Sequence, residues 1–159
     1  MNETQMVHEI DVARPPTWVF ACVSDAHTWP AWHPTTVSVV VPDDGPARAG
    51  HVIRETVRVG PVRGLIVWTV LEADPGRRYR IQGEVDFPLM RRTRADIVYD
   101  LAPTVMGHTH LRRDLRYASP LRTSQLADRL YLRGHNDRQS RVALHRLKLL
   151  AERQERPPA

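Results

Sequence analysis

The C-terminal part of the chain predicts one long amphipathic helix, from residue 122 to about residue 153. Its apolar side chains recur at spacings of three or four residues or at sums of these spacings, which places them on one stripe of a helix. These residues are Leu126, Leu130, Leu144, Leu147 and Ala151. About 30 residues at about 1.5 Å each span roughly 45 Å, which is longer than a small domain is wide. Other elements of the chain must therefore wrap around this helix.

A polar run, RGHNDRQS at residues 133–140, interrupts the apolar character of this helix halfway along. Arg133, Asp137 and Ser140 fall on the same stripe as the leucines. A stripe that faces the core and turns polar in its middle predicts that the helix passes a cavity. The rest of the chain must then supply the walls of that cavity.

Length and composition limit the class of protein. A chain of 159 residues fits one domain, which we place at residues 1–153, and the charged tail at 154–159 is predicted to fray. The sequence has neither an apolar run of roughly 20 residues nor a signal-peptide pattern, so a cytoplasmic location is expected. The formal charge of +5 comes almost entirely from scattered arginines, which argues against nucleic-acid binding. A single cysteine, Cys22, excludes an internal disulfide.

Before the long helix, the alternation of apolar and polar residues predicts seven strands. They cover residues 6–13, 37–41, 50–59, 62–73, 78–87, 92–101 and 105–117. Two short helices follow the first strand, at residues 16–23 and 26–32. Short turns between strands predict an antiparallel meander, and its apolar face needs the long helix as a cover. The predicted fold class is therefore α+β.

Glu55 and Arg113 are charged residues at strand positions that the alternation assigns to the buried side. Glu55 shares its phase with Ile53 and Val57, and Arg113 lies between apolar residues of the same phase. Burial raises the pKa of a carboxyl group and suits it to acid–base chemistry, whereas an arginine partner keeps it ionised. The two side chains could therefore pair in a cavity. Alternatively, a β-bulge shifts the phase of one strand, and the charges face water.

Aromatic side chains are further candidates for ligand contact, because a phenol or an indole joins an apolar body to a polar tip. Tyr79, Tyr99 and Tyr117 have inward phases on three late strands, which suits a cavity and also suits an ordinary core. The remaining candidates lie at the predicted cavity mouth, on the most apolar strand and on the long helix. They are Trp29, Trp32, Trp68 and Arg133.

Histidines raise the question of a metal site. His108 and His110 share one face of the last strand, but two ligands do not make a site, and the spacing suggests no third. His8, His33 and His51 are separate candidates near the cavity, and each is interpreted as a packed or exposed residue rather than as a catalyst. The sequence contains no glycine-rich phosphate loop or nucleophile elbow, so neither a metal nor a cofactor is expected.

Three stretches of the sequence resemble segments of the polyketide cyclase/dehydrase group of the START-like (SRPBCC) superfamily. They are ARPPTWVFACVSDAHTWPAWHP, WTVLEADPGRRYRIQG and RVALHRLKLLAE. The resemblance implies a helix-grip fold, in which the long C-terminal helix crosses the concave face of a seven-stranded, curved antiparallel sheet around a deep cavity. In the aromatase/cyclase branch, one polar side chain from the middle of that helix enters the cavity. Asp137 matches this position, with an acid where an amide is familiar.

The resemblance implies that the chain binds an apolar or aromatic small molecule, and it leaves open whether it is an enzyme. As an enzyme, the protein would be a polyketide cyclase/dehydratase-like lyase with Glu55, Arg113 and Asp137 as catalytic residues. The alternatives are a carrier or sensor of a lipid-like ligand, and a protein or ribosome interaction module. Either a monomer or a homodimer is compatible with these functions.

The cavity distinguishes these alternatives. An enzyme requires polar groups that converge in an apolar cavity, whereas a carrier requires an almost entirely apolar lining. An interaction module predicts a collapsed cavity and an exposed apolar or basic patch.

Overall fold

The structure, a computed structural model, describes residues 3–88, 90, 92–120 and 122–156, without the side chain of Ser124. Within these residues, seven strands follow one another: β1 (Glu3–Val12), β2 (Thr36–Val40), β3 (Val52–Val59), β4 (Val62–Asp74), β5 (Arg78–Asp86), β6 (Thr93–Pro103) and β7 (Thr109–Ala118). They form one sheet in the order β1-β7-β6-β5-β4-β3-β2, so β1 and β2 are its edges. Every neighbouring pair is antiparallel, which confirms the predicted sheet.

Two short helices separate β1 from β2, namely α1 (Pro16–Ser24) and α2 (Trp29–Trp32), with a 3₁₀ turn at Ala26–Thr28 between them. The C-terminal helix runs through α3 (Arg122–Ala127), a π-helical turn (Asp128–Leu132) and α4 (Arg133–Arg153). α4 packs along β1 and contacts α1 and α2, which confirms the helix-grip arrangement. Among the described residues, no helix is long and apolar enough to cross a membrane.

Proline and glycine set the connections around α1. Pro16 opens the helix, where a missing N–H removes no hydrogen bond. The β4–β5 turn contains Gly76 with a φ of 74°, and a side chain at this position would approach Thr17 on α1. The turn therefore needs a residue that tolerates positive φ and that leaves room for the helix. This contact holds α1 against one end of the sheet.

The apolar stripe of the C-terminal helix is correct in α4 and wrong before it. Leu144, Leu147 and Ala151 are buried, but Leu126 and Leu130 are 59% and 77% exposed. The π-helical turn explains the difference, because its i→i+5 hydrogen bonds place an extra residue in one turn and rotate the preceding segment out of phase. Leu132, which is 2% exposed, is the leucine that this turn buries.

The end of α4 is fixed to the loop after β1. Arg14 donates hydrogen bonds to the backbone oxygens of Ala151, Glu152 and Gln154. Cations near the last carbonyl groups of a helix also interact favourably with its dipole. The fraying of residues 154–159 stays a prediction, and residues 157–159 lie outside the described residues.

Candidate functional site

A cavity of about 140 Å³ lies between the sheet and the C-terminal helix. Most of its wall is apolar and comes from inward-facing strand residues, which include Ile66, Ile81, Val85 and Ile97, and from Phe87 directly after β5. Strand alternation sends these side chains to the concave face, while their sequence neighbours face the other side of the sheet. The polar groups of the wall come mainly from β3, β6, β7, the loop after α2 and the middle of α4.

Glu55 on β3 is buried and lines this cavity. The Thr36 hydroxyl donates a hydrogen bond to Oε1, and the indole Nε1 of Trp68 donates one to Oε2 at 2.7 Å. Burial raises the pKa of Glu55, although both hydrogen bonds and the positive charge of Arg113 act in the opposite direction. Glu55 is thus a carboxyl group held in one orientation and shifted toward its protonated form.

Arg113 on β7 is also buried in the cavity wall. Its Nε donates a hydrogen bond to the Tyr99 hydroxyl at 3.2 Å, and its Nη1 donates one to Oγ of Ser140 at 2.8 Å. The guanidinium carbon lies 5.8 Å from the centre of the Tyr99 ring, within the range of a cation–π contact. These bonds join β7, β6 and α4 around one cation.

Glu55 and Arg113 therefore line the same cavity, but no ion pair joins these two described residues. Each carries its own set of neutral hydrogen-bond partners, and the arginine lowers the Glu55 pKa only through space. Their hydrogen bonds to described residues use two of the five guanidinium N–H donors of Arg113. The two charged groups can thus act separately on one bound molecule.

His33, which was interpreted from the sequence as a packed or exposed residue, is part of the cavity wall. It follows α2 directly, and its Nδ1 lies 3.0 Å from the Thr35 hydroxyl. Burial lowers the pKa of His33 to about 3, and the positive charge of Arg113 adds to this effect. The imidazole is therefore neutral near pH 7 and can accept or relay a proton. Its position beside Trp32 in HTWPAWHP was the available sequence signal.

Five of the six predicted aromatic residues lie in the wall; they are Trp29, Trp32, Trp68, Tyr99 and Tyr117. Their contact with a ligand stays a prediction. Tyr79 lies behind the wall, and its ring packs edge-on against Phe20 of α1 with 6.1 Å between ring centres. The expectation that Tyr79 reaches the cavity is wrong, because α1 covers that end of β5 and makes the inward position part of the core.

Asp137 does not enter the cavity, contrary to the prediction. Its side chain is 39% exposed, and it contacts His8 Nε2 on β1 at 2.9 Å and Arg141 on α4, also at 2.9 Å. The neighbouring Asn136 lines the cavity instead, together with Gln139 and Ser140. Successive residues of a helix point about 100° apart. Asn136 therefore faces the cavity, whereas Asp137 faces β1.

Arg133 is exposed and lies in a second pocket of about 360 Å³, outside the central cavity. At Arg133 the C-terminal helix lies beyond the apolar wall of the central cavity, so the Arg133 side chain lies on the protein surface. Met90 and Tyr117 line both pockets and therefore form the partition between them. The Tyr117 hydroxyl donates a hydrogen bond to the buried Asp128 of the π-helical turn.

The polar groups of the central cavity include a carboxyl group, a guanidinium group, a neutral imidazole, two amides and several hydroxyl groups. Such a set can bind carbonyl or hydroxyl oxygens and can move protons between them. Among the described residues, no group of three or more His, Cys, Asp or Glu side chains is arranged to hold a metal ion.

Comparison with known proteins identifies relatives of this architecture. Residues 3–152 match the family model described as polyketide cyclase/dehydrase and lipid transport. No curated protein sequence matches the chain significantly. Among solved structures, the ZhuI aromatase/cyclase of a Streptomyces species superposes with a TM-score of 0.81 at 17% identity, over 98% of this chain and 97% of that chain.

Two further solved structures show the same fold at similar distance. The protein Ara h 8.0201 has a TM-score of 0.69 at 14% identity, over 94% of this chain and 98% of its own. A protein from Thermus thermophilus has a TM-score of 0.70 at 18% identity, over 93% of this chain and 97% of its own. At these identities the structural likeness establishes the fold alone.

Proposed function

The chain belongs to the polyketide cyclase/dehydrase and lipid transport family, and we propose that its cavity binds an oxygenated, otherwise apolar small molecule. The observation that carries this proposal is the placement of Glu55 and Arg113 in one apolar wall without a mutual ion pair. Buried charges are costly unless they are paired or used. A ligand with two oxygen atoms would give both groups a further partner.

The cavity volume limits the size of the ligand. An apolar cavity of about 150 Å³ is known to hold one benzene molecule, and the cavity here has about 140 Å³. The ligand portion that fits this conformation is therefore about one six-membered ring. A longer molecule would extend past Met90 and Tyr117 into the second pocket, because these side chains alone belong to both walls in the described part of the chain.

We propose as the leading activity an intramolecular condensation of a poly-β-ketone, followed by loss of water. His33 would take a proton from the carbon that attacks and pass it in the same step to the carbonyl oxygen that becomes a hydroxyl group, because its neutral ring can relay a proton but, with a pKa of about 3, does not hold one. Arg113 would stabilise the charge that develops on the attacked carbonyl oxygen. Glu55, shifted toward its protonated form, would supply a proton to the departing hydroxyl group. The Glu55 carboxylate would then take the second proton from the attacking carbon, which restores the carboxyl group. One carbon–carbon bond forms, two carbon–hydrogen bonds break, and the oxygen of the attacked carbonyl leaves with both protons as water.

A non-catalytic carrier is the second candidate. The observation in its favour is that Thr36 and Trp68 already satisfy Glu55, while Tyr99 and Ser140 already bind Arg113. Polar groups satisfied in this way can serve recognition without chemistry. An interaction module receives less support, because it predicts a collapsed cavity.

Heptane-2,4,6-trione provides a test with a substrate of the right size. Joining its terminal methyl carbon to the far carbonyl carbon, with loss of one water, gives 5-methylresorcinol, which chromatography with ultraviolet detection can quantify. We expect 5-methylresorcinol to form faster with the protein than in buffer alone. Glu55→Gln and Arg113→Met should each reduce the added rate by about 10²-fold or more, in the range of single acid–base or oxyanion groups.

Asp137→Asn is the matched control, because it also neutralises a carboxyl group but lies outside the cavity. Its rate should equal that of the parent. Binding of 5-methylresorcinol without any acceleration would favour the carrier, and absence of both would reject the proposed site.

A further inference from the structure

The second pocket brings three arginines to one concave surface beside the central cavity. Arg122, Arg129 and Arg133 line it, and they come from α3, the π-helical turn and the start of α4. All three residues are exposed, and each guanidinium group carries five N–H donors. The C-terminal helix thus supplies three positive charges to one wall of this pocket.

Asp128 is an acidic residue of the same wall, but its carboxylate has other partners. The Tyr117 hydroxyl donates a hydrogen bond to Oδ1, and the Thr4 hydroxyl donates one to Oδ2 at 3.0 Å. Asp128 is buried, and these two bonds hold it against β7 and β1. Within the described part of the chain, Asp128 forms no ion pair with the three arginines.

Glu3 is the other acidic residue of the second pocket, at the start of β1. It is exposed and has the same outward phase as Gln5, which donates hydrogen bonds to Asp114 on the outer face of the sheet. Among the described residues, no carboxylate pairs with the three arginines of the second pocket, whereas Arg141 of α4 pairs with Asp137 at 2.9 Å. The positive charges of the pocket are therefore available to a ligand.

Arg129 and Arg133 are four residues apart along the helix. Like charges at this spacing lie beside each other and destabilise a helix. An anion in the second pocket would supply the opposite charge that relieves this repulsion. The planar guanidinium group also offers parallel N–H donors, which match two oxygen atoms of a carboxylate or a phosphate. The second pocket therefore suits an anionic group in both charge and hydrogen bonding.

We infer that the second pocket binds the anionic end, a carboxylate or a phosphate, of a molecule whose apolar part occupies the central cavity. Met90 and Tyr117 line both pockets, so the connecting chain would pass these two side chains. A charged group is costly to bury fully, and the exposed arginines allow it to keep part of its hydration. This inference rests on the proposed function and narrows the ligand to an amphipathic acid.

Calorimetric titration with ω-phenylalkanoates tests the inference, and ω-phenylalkanols of the same length provide neutral controls. The ring suits the central cavity, and tails of three to eight carbons place the end group at increasing distances from it. The parent should prefer the carboxylate at the tail length that reaches the arginines, and this preference should weaken with ionic strength. Phosphate monoesters of the same alcohols distinguish the two anions, because the tighter ligand identifies the end group that the pocket prefers.

Arg129→Gln combined with Arg133→Gln should lower the preference for carboxylate over alcohol at least about tenfold, as expected for the loss of charge-assisted hydrogen bonds. Far-ultraviolet circular dichroism should show an unchanged fold, because both residues are exposed. Arg138→Gln is the matched control, since Arg138 is also an exposed arginine of the same helix but lines neither pocket. Its preference should equal that of the parent.

Three results would overturn the inference, and they differ in what they say about the central cavity. An unchanged preference in the Arg129 and Arg133 double variant, with the alcohols still bound, would reject the anionic site and leave the proposed function intact. Loss of the preference in Arg113→Met but not in the double variant would place the carboxylate in the central cavity instead. Absence of binding for both ligand series would reject the proposed function as well.

Discussion

The indole Nε1 of Trp68 donates a 2.7 Å hydrogen bond to Oε2 of Glu55 across the β3–β4 pair. Both side chains are buried on the concave face of the sheet, and Thr36 on β2 holds the second carboxyl oxygen. The carboxyl group thus has a fixed orientation at the cavity wall before any ligand arrives. Positioned acid–base groups of this kind lower the cost of ordering during a reaction.

Glu55→Gln should increase stability at neutral pH. Burial raises the Glu55 pKa above 4.5, so the folded state retains this proton at pH values where the unfolded chain has lost it. Stability from this group is complete below the unfolded pKa and is lost as pH rises through the folded pKa. Glutamine carries no such penalty and can still bond Thr36 and Trp68. Melting temperatures from pH 4 to pH 8 should show an advantage for Glu55→Gln that grows with pH, and a constant difference would contradict the assignment.

Gly83→Ala should disturb the support of Glu55. A Cβ atom at this position would lie 2.5 Å from a ring carbon of Trp68, which is too close for the buried indole to remain in place. We expect a loss of about 1–3 kcal/mol, typical of overpacking, and a change in tryptophan fluorescence. Gly134→Ala is the control, because nothing lies within 4 Å of its added Cβ. It should stabilise α4 by about 0.5–1 kcal/mol, and equal effects of the two variants would refute the packing.

Arg113→Met should cost more stability than Arg113→Met combined with Glu55→Gln. The single change leaves the buried Glu55 without the nearby positive charge that favours its ionised form. The double change removes the carboxyl group that needs this charge. Urea unfolding of the four proteins in this cycle would yield the coupling energy. Additive losses would show that the two groups do not interact through the cavity.

The π-helical turn can be tested with two leucines separated by one residue. Leu132→Ala should cost about 2–5 kcal/mol, as for other buried leucines, since Leu132 is 2% exposed. Leu130→Ala should change stability by no more than about 0.5 kcal/mol, because Leu130 is 77% exposed. A reversed order in urea unfolding would show that the helix continues without the π-helical turn.

The sheet could be predicted because its signal is local. Strand alternation has a period of two, and Glu55 and Arg113 took the inward phase that their apolar neighbours indicate. No bulge intervenes at either residue, and the register between β3 and β4 is continuous. The burial of both residues followed from sequence for this reason, whereas their functional roles stay predictions.

The helix face was harder to predict because a small change in periodicity rotates it. A regular α-helix places Leu126 and Leu130 near the buried stripe, but the π-helical turn directs both outward. The actual cavity residue, Asn136, lies four positions from both Leu132 and Ser140, which are buried. The sequence therefore allowed two stripes, one through Asn136 and one through Asp137. Only the position of the π-helical turn decides which of the two faces the cavity.

Tyr79 and Arg133 were misplaced for another reason. Alternation gives the direction of a side chain but not its distance from the cavity, so the core position of Tyr79 depends on α1, which is distant in sequence. Arg133 lies on an exposed side of the C-terminal helix and lines the second pocket, outside the central cavity. The cytoplasmic location stays a prediction.

The central claim is that Arg113 recognises oxygen atoms of a ligand inside the apolar cavity. The direct measurement is calorimetric titration of the parent and Arg113→Met with resorcinol and with m-xylene, which have similar shapes and differ in two hydroxyl groups. Comparing the ratio of the two Kd values between proteins cancels the different hydration of the two ligands. The preference for resorcinol should fall at least about tenfold in Arg113→Met, which corresponds to the loss of one hydrogen bond to a charged group. Binding of m-xylene to Arg113→Met should persist. The control Asp137→Asn should show the same preference as the parent. An unchanged ratio in Arg113→Met would contradict the claim.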